Sequence, residues 1–379
     1  MDRKLFNGAD VLSKVLESVG VRNMIEEASD ESGDSSGIKW DVDWIQTVIS
    51  NTRMRPDIHS SSSKPKKKRN RSWKCRTKLP YTSSMFYRDY HSLTCRSEGH
   101  IDYKEFRLNY RMPWTECHKL VCMFVKNKWV ITQEECDKRR VKGQQVCPPE
   151  IKILGTLYWL GEGCSFRTIY NISGRVLGRV SFGHFAKKFC RFVASQLGPE
   201  YIRVPRNVAE LRRVSKDFED RGFPGACGST DGVQIAWEGC PYAYRNSFTG
   251  KEKYPTLGFN VTVGHDMKIL HVCSMFAGRF NDKTKVLYDG YVKMLRSGFY
   301  EGFQYKVYDS AGVPTMCTTP YLICDGGYHR WLQLMCPFKT TSQETLALWS
   351  KLLESMRKDA ECTFGVMKKR FKVRVRVRW

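Results

Sequence analysis

Between residues 111 and 196 apolar side chains recur at spacings of three and four. Trp114, Cys117, Leu120, Val121 and Phe124 fall on one stripe, which predicts an amphipathic helix. Pro148 and Pro149 suit a helix entrance, and residues 149–173 read as helix, Gly turn, helix, with Gly161 and Gly163 breaking the first and Ser165 placed to cap the second. A third helix follows, with Phe185, Phe189, Phe192 and Val193 on one face. Helix, tight turn and second short helix form a helix-turn-helix outline. Ordinary helical bundles share it, so a DNA-reading role and plain packing both stay open.

After Arg221 the period changes. GSTDGVQIAW, PTLGFNVTVGH and KILHVCSMFAG are three runs rich in Val, Ile, Leu, Phe and Thr, separated by Gly, Pro or His-Asp signals. In the second run Leu257, Phe259, Val261 and Val263 alternate with Thr256, Gly258, Asn260 and Thr262, which predicts a strand with one buried face. The turn GHDMK is short enough for a hairpin, so antiparallel pairing is expected. A helix is expected from 282 to about 296, then a fourth strand, YLICDGG. A long closing helix follows, with Leu346, Trp349, Leu353, Met356, Ala360, Phe364 and Met367 on its core face. The sum is a mixed α/β domain behind a helical region.

Composition changes this picture in one respect: charge. The chain has 379 residues, 63 Lys plus Arg against 39 Asp plus Glu, and a formal net charge of +24. Its apolar share of 41% excludes a wholly disordered chain. No apolar run is long enough for a membrane helix, the start lacks a secretory pattern, and 15 scattered Cys read as reduced thiols. No membrane partner is therefore expected, and a large positive charge points to a polyanion, most often nucleic acid. The charge is uneven. Residues 1–50 carry ten acids and five bases, a local −5, so the remainder carries +29. The Ser/Gly-rich acidic stretch 26–34 reads as flexible, after a short amphipathic helix at 11–24. Residues 64–78 hold nine Lys or Arg and no acid. Lys64, Lys66, Lys67, Lys68, Arg69 and Arg71 in that run fit a nuclear-import signal, with phosphate contact or a solvated linker as the other readings. The expected division is a tail at 1–72, a helical region at 73–215 with the helix-turn-helix-like part at about 149–198, and an α/β domain at 216–379.

Three acids stand where catalysis would place them. Asp231 lies inside an apolar strand, where a bare carboxylate is costly without a partner or metal. Asp325 ends a strand and is followed by Gly326 and Gly327, which permit close backbone approach. Glu361 follows Ala360 late in the closing helix. If the first and fourth strands are neighbours and the helix packs across them, the three carboxylates converge. Such an oxygen set suits Mg²⁺ or Mn²⁺. Each acid taken singly could be an ordinary surface residue.

Residues 107–371 resemble the PIF/Harbinger group of DDE transposases, which includes the harbinger transposase-derived nucleases. The matching pieces, in the family's order, are GSTDGVQIAW with GKEKYPTLGFNV, then AGRFNDKTKV, YLICDGGYHRWLQLMCPFK and RKDAECTFGVMKKRF. The resemblance implies an RNase H-like fold, Asp231, Asp325 and Glu361 as a metal-binding DDE triad, and two divalent cations, Mg²⁺ or Mn²⁺. It implies cutting of DNA at element ends followed by strand transfer into target DNA, in the nucleus. A Myb-like accessory protein is the implied partner, and a homo-oligomer is a further expectation.

Other positions have plainer readings. Asn281 suits a helix N-cap. Arg357 and Lys358 fit either DNA phosphate or a solvated helix face, and Lys368, Lys369 and Arg370 join them as candidate DNA contacts. Trp331 reads as core, and Cys117, His118 and Cys122, on one helix with no CxxC pair, read as core and surface residues rather than as zinc ligands. After Glu361 the chain runs only to RFKVRVRVRW, shorter than the family's usual C-terminus, with Val373, Val375 and Val377 alternating as in a cationic strand. That shortness favours a domesticated or decayed transposase that binds DNA without cutting. A third reading, a helix-turn-helix regulator with an unrelated C-terminal domain, has to treat the ordered motifs as coincidence.

Overall fold

The apolar stripes of the helical region all turn inward on one helix. The computed structural model describes residues 80–138, 146–308 and 311–372. The expected helix at 11–24, the acidic stretch, the basic run from Lys64 to Arg71 and the Val373–Val377 alternation lie outside these residues. Among the described residues seven helices come first: α1 (Met85–His91), α2 (Ile101–Tyr110), α3 (Trp114–Lys126), α4 (Gln133–Lys138), α5 (Pro149–Glu162), α6 (Phe166–Ile172) and α7 (Arg179–Phe192). Ile151, Ile153, Leu154 and Leu157 of α5 are buried against Cys117, Leu120, Val121 and Phe124 of α3 and the Phe182, Phe189 and Phe192 face of α7. Burying each such side chain is worth roughly 1.5–3 kcal/mol, which is what holds helices this short in place. The punctuation works as expected at Gly163 and Ser165 but not at Gly161, which is buried inside the last turn of α5 and does not break it. Gly163 ends α5 at φ 63°, a conformation that glycine adopts without a Cβ penalty, and Ser165 Oγ accepts from Thr168 N–H at the start of α6.

Two short helices, α8 (Gly198–Tyr201) and α9 (Val208–Glu219), lead into the sheet. Its strands are β1 (Ala226–Ala236), β2 (Thr256–Val263), β3 (Ile269–Val272), β4 (Phe276–Ala277), β7 (Tyr321–Ile323) and β8 (Leu334–Met335); β5 (Tyr305–Tyr308) and β6 (Pro314–Cys317) form a separate hairpin. The order is β3-β2-β1-β7-β8, with β4 also on β2. β1, β2 and β3 are antiparallel, while β7 and β8 extend the sheet in parallel with β1. The remaining helices are α10 (Arg245–Phe248), α11 (Asp282–Leu287), α12 (Gly290–Arg296) and the 27-residue α13 (Glu344–Arg370). α13 covers one face through Leu353, Ala360 and Phe364; α11 and α12 cover the other through Val286, Tyr291, Val292 and Leu295. The chain is therefore a mixed α/β protein with a mixed sheet, the fold class that the sequence pattern indicates.

Several expectations need correction. β2 is buried on both faces, because α11 and α12 cover the side that carries Thr256, Asn260 and Thr262, whose polar groups are satisfied by hydrogen bonds. The helix expected over 282–296 is two helices: Asp289 accepts from Tyr291 and Val292 N–H, capping α12 and stopping α11. The third apolar run splits into β3 and β4. The β5–β6 hairpin has no clear alternation, and β8 is too short to show any. On α13, Met367 is exposed, and the face contains buried Ser350 and Thr363 in addition to the expected apolar set.

Candidate carboxylate site

The sheet register brings the first two acids level. Ser229 pairs with Ile323 across the parallel β1–β7 contact, so two residues on along both strands stand Asp231 and Asp325. Asp325 lies just past the end of β7, in a turn closed by Gly327 N–H donating to Asp325 Oδ1 at 2.5 Å. Ser229 and Asp231 share the face under α13. The helix is fixed there at three points: Ser229 Oγ donates to the Arg357 carbonyl (3.2 Å), His265 Nδ1 meets Asp359 Oδ2 (2.7 Å), and Ala360 packs on Val261 and Val263.

That placement puts Arg357 between the carboxylates. Its Nη1 is 3.2 Å from Asp231 Oδ2 and its Nη2 is 2.8 Å from Glu361 Oε1, with Glu354 at 3.8 Å. The Arg357 side chain is only 14% exposed. Its solvated-face reading is thereby overturned; the apolar spacing of α13 fixes the helix rotation, and that rotation turns Arg357 inward. Its Nε is buried without a hydrogen-bond partner, so the guanidinium is only partly satisfied where it lies. Lys358 instead lines an open groove with Lys339, Lys351 and Glu354. Lys368 and Lys369 are exposed, whereas Arg370 donates to the Arg111 carbonyl and helps join α13 to the helical region.

Asp231 carries the electrostatic burden of the site. Burial pushes its carboxyl up to about 6, aided by the charges of Asp325 and Asp282; the Gly232 N–H and Arg357 pull the other way. Asp282 was not anticipated here. It approaches from the opposite face of the sheet, over Gly232, and its Oδ1 accepts from the fully buried Lys285 at 3.0 Å. Asn281 is the N-cap of α11, as expected, accepting from Thr284 N–H at 2.8 Å. A Cβ at Gly232 would collide with Asp282 Oδ1. Gly232→Ala is therefore expected to displace Asp282 from Lys285 and to cost about 1–3 kcal/mol in urea denaturation; an unchanged midpoint would show that Asp282 gives way freely.

Beneath the acids runs a buried polar network that sequence reasoning missed. Tyr328 O–H donates to Asn260 Oδ1 (2.6 Å), and Asn260 Nδ2 donates to Asp289 Oδ2 (2.7 Å) and Thr230 Oγ1 (3.0 Å). His271 Nε2 lies 3.4 Å from Asp289 Oδ1, within ion-pair reach but not aligned for a hydrogen bond. Thr230 adjoins Asp231 and Tyr328 follows Asp325 by one turn, so the network pins both aspartate-bearing segments. The only advance signal was polar residues inside apolar runs.

The donor chemistry fits a hard divalent cation: Asp231, Asp325, Glu361 and Asp282 offer carboxylate oxygens alone. As the side chains stand, no three His, Cys, Asp or Glu among the described residues are close enough to hold an ion, and Arg357 fills the space between Asp231 and Glu361. His118 is bound to the Tyr90 hydroxyl and Cys117 is core, in keeping with their plain reading. Cys324 faces Cys336 across 3.3 Å rather than the acids.

Comparison with known proteins matches residues 199–378 to a family model described as plant transposon protein. No curated protein and no solved structure matches the chain. The stretch that carries all four carboxylates is thus similar to a plant transposon protein, which supports a transposase-related family for this part of the chain.

Proposed function

We propose that this chain is a metal-dependent DNA endonuclease and transposase of the PIF/Harbinger type, acting in the nucleus with Asp231, Asp325 and Glu361 as its triad. The observation that carries the reading is the register that sets Asp231 and Asp325 side by side under a helix bearing Glu361, inside a segment similar to transposon proteins. A pair of Mg²⁺ or Mn²⁺ ions, when bound, activates water or a 3′-hydroxyl and stabilises the leaving oxygen of a phosphodiester. This chain's own residues would hold that charge on Asp231, Asp325 and Glu361, with Arg357 withdrawing toward the groove where Lys339, Lys351 and Lys358 can meet phosphate. DNA ends, target DNA and a Myb-like accessory protein are the partners proposed with it.

A second reading is a transposon-derived DNA-binding protein that does not cut. It draws on the place of Arg357, which forms ion pairs with both Asp231 and Glu361 and so offsets part of their charge without any metal. Incubating the full chain with supercoiled plasmid and Mn²⁺ separates the two. The endonuclease reading expects nicking that falls by about a hundredfold or more in Asp231→Asn, Asp325→Asn and Glu361→Gln. Equal nicking by all four proteins would sink the triad, and tight DNA binding with no nicking by the wild type would leave the second reading standing.

A further inference from the structure

The second concentration of chemistry lies in the helix-turn-helix, away from the acids. An open cavity of about 440 Å³ is lined by Arg167, Tyr170 and Asn171 of α6, Arg175 of the connecting turn and Arg179 of α7. Three guanidinium groups share one cavity with no carboxylate in its wall. Between Glu162 and Glu200 the sequence contains no Asp or Glu, and none of the three arginines has an acidic partner among the described residues. Elsewhere the arginines Arg111, Arg203 and Arg357 are each paired with an acid. Clustered cations without counter-charge repel one another, so their convergence costs energy that an anion would return.

The scaffold under them is rigid. Gly174 and Arg175 both adopt left-handed backbone, at φ 63° and 64°, and Arg175 N–H is tied to the Tyr170 carbonyl at 2.8 Å. Ser173 Oγ accepts from Leu177 N–H, and Leu177 is buried in the helical core. Phe182 of α7 packs edge-on against Phe166 of α6 at 5.2 Å. The 14-residue α7 opens into the cavity beside Arg179, and its cap, Gly178, supplies no side-chain oxygen to the first amides. Beyond the cavity the exposed side chains of α7 continue with His184, Lys187 and Arg191, so the positive face extends along a line rather than ending at one small anion.

We propose that this cavity is a phosphate-binding site for the backbone of duplex DNA, in which Arg167, Arg175 and Arg179 grip one strand and α7 lies along the adjacent groove. Arginine forks match phosphate oxygens in pairs, and the uncapped α7 amides add donors of fixed direction. The candidate contacts on α13, Lys368, Lys369 and Arg370, are then not the principal DNA surface. This proposal is independent of whether the carboxylates cut.

The test uses the full chain in EDTA, where no cutting occurs, and a short fluorescent DNA duplex over a range of salt. Arg167→Gln/Arg175→Gln/Arg179→Gln is compared with Arg213→Gln/Lys293→Gln/Lys306→Gln, which removes the same charge from exposed positions of the α/β part. The first variant is expected to lose about tenfold or more in affinity and to flatten the slope of log K against log salt by about 2–3, while the second changes the slope by less than about 1. Equal losses would reduce the cavity to a share of the general charge and overturn the proposal, as would an unchanged slope. Thermal melting checks folding; should the triple variant melt early, Arg175→Gln alone must reduce the slope by about 1. Inorganic phosphate bound at the cavity without any change in duplex affinity would also overturn the duplex assignment.

Discussion

Asn260→Ala is expected to cost the protein about 3–5 kcal/mol, read as a shift in the urea midpoint at neutral pH. One amide satisfies three groups that cannot reach water: the Tyr328 hydroxyl, Thr230 Oγ1 and the Asp289 carboxylate, which is fully buried. Removing it leaves a buried charge short of a donor, and that is the expensive part, since unpaired buried polar groups cost about 1–3 kcal/mol each and charged ones more. Tyr328→Phe deletes a single hydroxyl and leaves Asn260 its other two bonds. It should cost about 1 kcal/mol. The ranking is the sharper check: if Tyr328→Phe were as damaging as Asn260→Ala, the amide would not be the hub. Asn260→Asp should be at least as harmful as Ala, because it faces a second carboxylate at the 2.7 Å contact with Asp289.

The legible parts of this fold are those in which one face is apolar. The stripes on α3 and α7, the alternation on β2 and the Leu353–Ala360–Phe364 face of α13 could all be read, because burial of one face imposes a period. The alternation could not tell that the polar face of β2 is also buried. Asn260, Thr262 and Thr230 satisfy one another, and hydrogen bonds between distant strands leave no local pattern. Asp231 and Asp325 were visible as acids at strand positions, and their juxtaposition depends on a parallel β1–β7 register that follows from topology. Arg357 is the instructive case. A charge one turn before Glu361 reads equally as a phosphate contact or a solvated face, and only the packing of Ala360 and Leu353 settles that it points at Asp231. The arginine cavity was hidden for the same reason: Arg167, Arg175 and Arg179 are unremarkable by spacing and meet only because the turn at Gly174 folds back.

The two halves of the molecule divide their charge in a way that suits the DNA partner proposed above. Asp231 and Glu361 share Arg357, and Asp282 is paired with Lys285, so the cations at the sheet reduce the repulsion that these carboxylates present to an approaching phosphate. The uncompensated cations sit in the helical region and along the groove beside α13. The end of α13 fastens these parts together: Lys372 N–H donates to the Leu160 carbonyl at 3.1 Å and Lys372 Nζ meets Glu162 at 3.3 Å.

Arg357→Ala is expected to destabilise the protein by about 2–4 kcal/mol at pH 7.5 and by clearly less at pH 4.5. Asp231 titrates at about 6 in the folded protein, above the ordinary value of 3.8. A carboxyl raised in this way favours the folded state fully at pH below its unfolded value, and that favour is lost as pH climbs from about 4 through about 6. At pH 7.5 the ionised group therefore opposes folding by up to about 3 kcal/mol, from two pH units at about 1.4 kcal/mol each. Arg357 limits that cost where Asp231 is charged and has less to offset once the proton returns. Asp231→Asn should show the converse, gaining on the wild type by about 2–3 kcal/mol between pH 4.5 and pH 7.5. In the double variant the pH dependence due to this pair should disappear. Urea titrations of the four proteins at both pH values close the cycle, and an Arg357→Ala cost that is the same at pH 4.5 and pH 7.5 would show that the guanidinium is not the counter-ion of Asp231. Millimolar Mn²⁺ provides the link to function: with the guanidinium gone, the cation should raise the melting temperature of Arg357→Ala more than that of the wild type, because nothing has to leave the carboxylates first.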